Sequence, residues 1–359
     1  MGLKEILSEL VEIDAPSGYE EPMIAHMVEA LRPFVDEVHV TPRGNVVAVQ
    51  RGMDKSAPKV AMEAHMDQVG FVVTNVDERG FIRFRRLGGA MTRAHLGQRV
   101  RFVTPKGTVR GVVGMKPGHV TPPEERNTVP AIEEMYVDVG AWNRDDVKEL
   151  GIGIGTPLVW DAPFLKLAND MIAAPGLDDK IGLATLIAVA AALKEEPIPA
   201  TVYYLASVEE ENGLRGAYSV LYDLDVDMAV AIDTTSAGFQ PEVKMRDIYY
   251  EIGKGPAIHH GEQGGGSVNV IHHHKVRGWL MESAEDGQIP YQENFQFGGT
   301  DAGAMAKTRA GIPTATVALP RRYSHSPVET FYMGDLENLV KLFTVAISKL
   351  DSGFSLQRA

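Results

Sequence analysis

The sequence predicts an α/β protein: a mixed, mostly parallel sheet flanked by helices, with a small β-barrel domain inserted into it. Two patterns carry that expectation. From residue 166 onward, apolar β-branched runs alternate with segments of helical period, as strand-helix-strand units of a parallel sheet do. Between residues 69 and 165 helical periodicity almost vanishes, and short β-rich segments follow one another across Gly and Pro turns. Residues 1–68 and 166–359 are therefore expected to form one domain, with 69–165 as the insert.

The elements follow in order. Leu3, Ile6, Leu7, Leu10 and Val11 recur at helical spacing and mark an amphipathic surface helix rather than a signal peptide. Ala15-Pro-Ser-Gly-Tyr19 is a turn, and Met23, Ile24, Met27, Val28 and Leu31 form a second helix with Pro22 in its first turn. Strands are expected at Glu37–Val40, Asn45–Gln50 and Lys59–Ala64, the last running into His65-Met66-Asp67. The insert supplies strands around Phe81–Arg85, Gln98–Val103 and Thr108–Val113, with one short helical piece at Asn143–Leu150. Beyond it come helix Asp179–Glu195, strand Thr201–Val208, helix Leu214–Leu221, strands Met228–Ile232 and Thr314–Leu319, and a closing helix near Leu336–Leu350.

Composition narrows the function. A formal charge of −13 disfavours nucleic acid and anionic membranes as partners, leaving small molecules or peptides. The longest strongly apolar run, Leu183–Leu193, is far short of a membrane span, so a soluble, cytoplasmic protein is expected. With no cysteine in the chain, thiolate metal sites and a cysteine nucleophile are excluded, and any metal must sit on His, Asp and Glu.

Those side chains collect at the ends of strands. His65 follows the strand at 59–64, Glu209-Glu210-Glu211 follow that at 201–208, Asp233 follows that at 228–232, His325 lies past that at 314–319, and Asp178-Asp179 open a helix. Taken singly, each has a plain explanation: a solvated acidic turn, a helix N-cap, a structural histidine beside an acid. Together they are positioned to meet on one edge of an α/β sheet, where sites of such folds form. Two histidines with several carboxylates suit zinc, cobalt or manganese. Five ligands exceed what one tetrahedral catalytic ion needs, whereas two ions sharing a carboxylate account for them.

The residues also carry a resemblance. Ala64-His-Met-Asp-Gln-Val-Gly70, Gly176-Leu-Asp-Asp-Lys-Ile-Gly182, Glu209-Glu-Glu-Asn-Gly-Leu-Arg-Gly-Ala217, Ala231-Ile-Asp-Thr234 and Arg322-Tyr-Ser-His-Ser-Pro-Val-Glu329 resemble successive motifs of metallopeptidase family forty-two. Gly253-Lys-Gly-Pro-Ala-Ile258 and Gly298-Gly-Thr-Asp-Ala302 fit the same order, so the resemblance covers nearly the whole chain. It implies a zinc-peptidase-like catalytic domain and a dinuclear aminopeptidase acting on peptides, with two divalent ions per subunit, zinc or cobalt first and manganese next. Asp178 would bridge the ions, with His65 and Asp233 on one and Glu211 and His325 on the other. Glu210 would be the general base, and Asp67 would orient His65. The insert would support dimers that assemble into a twelve-subunit shell.

Two residues depart from the family pattern. Lys180 stands where Arg is usual, and is expected to remain a cation near the acidic pair; Glu209 stands where Gln is usual, which leaves the register of the triplet open between Glu209/Glu210 and Glu210/Glu211. Two rival readings remain: a di-metal deacylase or carboxypeptidase acting on N-acyl amino acids, and a non-catalytic assembly protein of the same fold. His259-His260 and His272-His273-His274 flank Gly264-Gly-Gly266 but are not assigned to a metal; they are expected to line the pocket or face solvent. His95 and His119 are expected to be structural.

Overall fold

The computed structural model describes residues 2–264 and 267–358. Its main sheet runs, edge to edge, through Glu37–Val40, Val46–Gln50, Val202–Ser207, Val60–His65, Met228–Ser236, Thr314–Arg321, Ala257–Gly264 and Ser267–Ile271, and Gln292–Phe297 pairs beside Ala257–Gly264. The four central strands are mutually parallel and antiparallel strands border them. Both faces are covered. Val60, Met62 and Ala64 pack into one apolar core with helices Leu3–Glu12, Glu21–Leu31, Leu177–Leu193 and Met333–Ser348; Ala61 points the other way, towards helices Arg215–Val220 and Asp301–Met305. Burial on both faces is why these strands read as continuous apolar runs without polar alternation.

Helix Leu177–Leu193 lies in the first core and is buried on nearly every side, which explains its largely apolar sequence after Lys180. Its start differs from the expected Asp179–Glu195. Asp178 and Asp179 have non-helical backbone angles, and Asp179 Oδ1 accepts from the Gly182 amide at 2.9 Å, satisfying a helix-start donor as an N-cap does. Strand Met228–Ser236 is also longer than the expected 228–232. Asp233 therefore lies within a strand, paired with Ala318, rather than beyond it.

The insert closes into a barrel of six short strands, Gly70–Val76, Ile82–Leu87, Val137–Asp138, Gly107–Val113, Arg99–Thr104 and Pro157–Trp160 in spatial order. Phe71, Phe84, Phe102 and Trp160 fill it. His95 is buried against Phe71 and Trp160, with ring centroids 4.9 and 5.7 Å away, and burial pushes its pKa down to about 4, so it packs as a neutral ring. Asn143 caps helix Arg144–Glu149 by accepting from the Asp146 amide.

A small third sheet joins Leu165–Lys166, Met171–Ala174 and Glu329–Tyr332. It sets Glu329 opposite Ala174, four residues before Asp178. Among the described residues, no helix is long and apolar enough to cross a membrane. Leu186, wholly enclosed in the central helix, reports on the first core. Leu186→Ala is expected to lower unfolding free energy by about 2–5 kcal/mol in urea titrations, with the fold retained.

Candidate functional site

The parallel strands end together. Ser207 is in register with His65, so the segments leaving these two strands start side by side. The triplet then divides. Glu209, at φ +54°, turns outward, its carboxylate meeting Arg43 at 3.1 Å and Arg215 at 3.2 Å. Glu210 and Glu211 turn inward, with Glu210 Oε2 3.9 Å from His65 Nε2 and Glu211 Oε1 3.3 Å from His325 Nε2. Asp67 fixes this arrangement: its two carboxylate oxygens accept the backbone amides of Glu210 and Glu211 at 2.9 and 3.1 Å. His65 Nδ1 is held chiefly by the Asp67 carbonyl oxygen, at 2.9 Å, with the Asp67 carboxylate farther away at 3.4 Å.

Asp178 is the meeting point. Its Oδ1 lies 3.3 Å from His65 Nε2 and its Oδ2 lies 3.1 Å from His325 Nε2, one oxygen towards each histidine. Donor atoms of His65, Asp178 and Asp233 lie within 4.8 Å of one another, as do those of Asp178, Glu211 and His325. All seven candidate residues, Asp67 and Glu210 included, are thus gathered at one edge of the sheet. Asp178, Glu210, Glu211, Asp233 and His325 border a cleft of about 360 Å³, whose far side carries Gly298 and Gly299.

The charge balance of the cleft is uneven. Burial pushes the carboxyl groups of Glu210 and Asp233 well above the usual range and that of Glu211 up to about 8, each raised further by neighbouring carboxylates. For Asp178 burial also works upward, but Arg321 and hydrogen bonds from His325 and His65 outweigh it and hold the group well below its ordinary value. Burial opposes protonation of His325, yet Asp178 and Glu211 raise it to about 9. Buried carboxylates forced towards protonation mark a place short of cations. Glu211 Oε1, buried and facing only the His325 ring, is an oxygen of the kind a cation takes. The oxygen and imidazole donors fit borderline or hard divalent ions.

Several contributors were not singled out from sequence. Arg321, at the end of strand Thr314–Arg321, contacts Asp178 and lies 3.5 Å from Glu329, which itself accepts the amides of Asp178 and His325. Ser207 donates within a buried group formed with Glu63 and Asp301, at 2.7 and 2.8 Å. Glu63, an ionisable residue inside the apolar strand Val60–His65, was a visible signal; Arg321 gave none, because its partners come from a distant sheet. Lys180 differs from expectation. Its Nζ points away from the acidic pair to the carbonyl of Ile13 at 2.8 Å and to Gln68 Oε1 at 2.6 Å, and burial lowers its pKa to about 7.

The family profile described as M42 glutamyl aminopeptidase matches residues 44–342. The chain belongs to this M42 family. It is 36% identical to a lysyl aminopeptidase of Pyrococcus furiosus over 96% of this chain and 97% of that protein. An aminopeptidase structure from Desulfurococcus kamchatkensis superposes with a TM-score of 0.93 at 34% identity, covering 99% of this chain and 96% of the other. A TET1 peptidase of Pyrococcus horikoshii, described as assembling into a tetrahedron or a large octahedral shell, gives 0.85 at 29% identity, covering 97% and 100%. This M42 chain is accordingly a metal-dependent aminopeptidase, a peptide hydrolase. That assignment displaces the N-acyl amino acid hydrolase and the non-catalytic assembly protein as readings of the same residues.

Proposed function

We propose that the chain removes amino-terminal residues from peptides with a pair of divalent ions, His65 and Asp233 holding one, Glu211 and His325 the other, and Asp178 shared between them. The observation that carries this is the placement of the two Asp178 oxygens, 3.3 Å from one histidine and 3.1 Å from the other. Bound there, zinc, cobalt or manganese supplies charge to polarise the scissile carbonyl and acidity to the attacking water. Glu210 takes the proton from that water and returns it to the departing amine, acting first as base and then as acid. Asp67 keeps Glu210 aimed by holding the amides of residues 210 and 211, and its carbonyl fixes the tautomer and ring orientation of His65. The cleft volume suits the first residue of a peptide.

A homo-oligomer follows as part of the same reading, supported by the shell-forming relative and by Trp142 and Ile154 of the insert, which are 88% and 79% exposed. Light scattering coupled to gel filtration is expected to give a mass many times 39.1 kDa, and a monomer would end that part of the proposal.

Paired substitutions test the triplet. Glu210→Gln is expected to retain bound metal and lower kcat by about 10³-fold or more, whereas Glu209→Gln stays within about threefold of the parent. The reverse ranking would move the base to Glu209. Metal dependence has its own check: dialysed apo protein should cleave aminoacyl-anilides at under about 1% of the holo rate, and zinc, cobalt or manganese should restore it. Full turnover by metal-free protein would remove the ions from the reaction.

A further inference from the structure

Outside the cleft, a second set of donors lies inside the protein. His259 is on strand Ala257–Gly264, Glu262 is three residues later, and His272 follows the hairpin partner Ser267–Ile271. Of the histidine-flanked tract, Gly265 and Gly266 lie outside the described residues. His259 and Glu262 are 0% exposed and His272 2% exposed, so these histidines neither line the cleft nor face solvent. Donor atoms of the three residues lie within 4.8 Å of one another.

The two rings are poorly partnered. Among the described residues, neither nitrogen of His259 nor Nδ1 of His272 makes a hydrogen bond, and His272 Nε2 faces only Glu262 Oε1. Three unpartnered polar atoms buried in one place call for a physical reason. Glu262 is differently placed: Thr300 donates to it through both its amide and its hydroxyl, and Thr316 through its hydroxyl. These three donors orient the carboxylate.

One of the three spacings is that of a pair of zinc ligands. His272 Nε2 lies 3.3 Å from Glu262 Oε1. Two ligands at tetrahedral positions about 2.0–2.1 Å from a zinc ion are themselves about 3.3–3.4 Å apart.

We propose that His259, Glu262 and His272 bind a third divalent cation of the zinc class, separate from the pair proposed at Asp178. Two imidazoles and one carboxylate form a ligand set that zinc accepts, with one position left for water. The role of this ion is structural. Glu262 holds Thr300, Thr300 caps helix Asp301–Met305, and the preceding Gly298-Gly299 borders the cleft. A cation on Glu262 therefore ties the paired strands Ala257–Gly264 and Ser267–Ile271 to one wall of the cleft.

Crystals of the unaltered protein grown with zinc chloride provide the test, through anomalous difference maps recorded above and below the zinc edge. A peak between His259, Glu262 and His272 is expected, resolved from density at Asp178. No peak there overturns the proposal whatever is found at Asp178, so this site and the catalytic pair stand or fall separately. In solution, zinc content measured by mass spectrometry after dialysis is expected to fall by about one equivalent per chain in His272→Gln. Unchanged content in a folded variant overturns the proposal as well. If His272→Gln does not fold, the anomalous map on the parent protein decides.

Discussion

The carboxylate of Asp178 is the constraint around which the cleft is built. Buried ions need compensation from geometry that is already in place, because the surrounding protein cannot reorganise as water does. Three elements provide it from different parts of the chain: His65 at the end of one central strand, Arg321 at the end of another, and His325 in the loop that follows. Arg321 is held in turn near Glu329, which the small third sheet delivers. That sheet adds Ile172, Ala174 and Phe331 to the first core, and it also fixes the carboxylate that receives the amides of both Asp178 and His325. A minor element of the fold thus sets the position of the central group.

Asp67 does the corresponding work on the opposite side. The loop after strand Val202–Ser207 could carry its three glutamates in several directions, and a one-residue change of direction would exchange the inward and outward members. Two amide hydrogen bonds to one buried carboxylate select a single arrangement. Arg43 and Arg215 complete the selection by drawing Glu209 outward. Exposed ion pairs of this kind contribute little to stability, but they are sufficient to bias a loop between directions of similar energy.

The distinction between what was legible and what was not follows from these contacts. The central strands and the long buried helix were readable because apolar content and period record burial directly. The barrel was readable as a change in period. Strands Ala257–Gly264 and Gln292–Phe297 were not, since His259, Glu262, Asn294 and Gln296 break the apolar run while being buried themselves. Their polarity serves internal contacts that have no signature along the chain. Lys180 illustrates the same limit: sequence placed its charge beside the acidic pair, but the Ile13 carbonyl and Gln68 oxygen that receive it come from the end of the first helix and from the segment after strand Val60–His65. The direction of a side chain leaving a helix start depends on such neighbours. The meeting of His65 with the acidic triplet after Ser207, by contrast, needed only adjacent strand ends on one edge, which topology supplies.

The insert is not merely attached to this edge. Gly88, at φ +87°, comes so close to Glu211 that a β-carbon there would lie 3.0 Å from its carboxylate oxygen, and Gly89 lies beside the His325 ring. Glycine is required at residue 88 on two grounds, the positive φ and the close approach. The turn after strand Ile82–Leu87 therefore forms part of the wall around Glu211 and His325, and together with Val129, Pro130 and Ala131 it borders a larger cavity of about 860 Å³ that reaches His325. The contacts that position the barrel thereby become contacts that shape the wall beside Glu211 and His325.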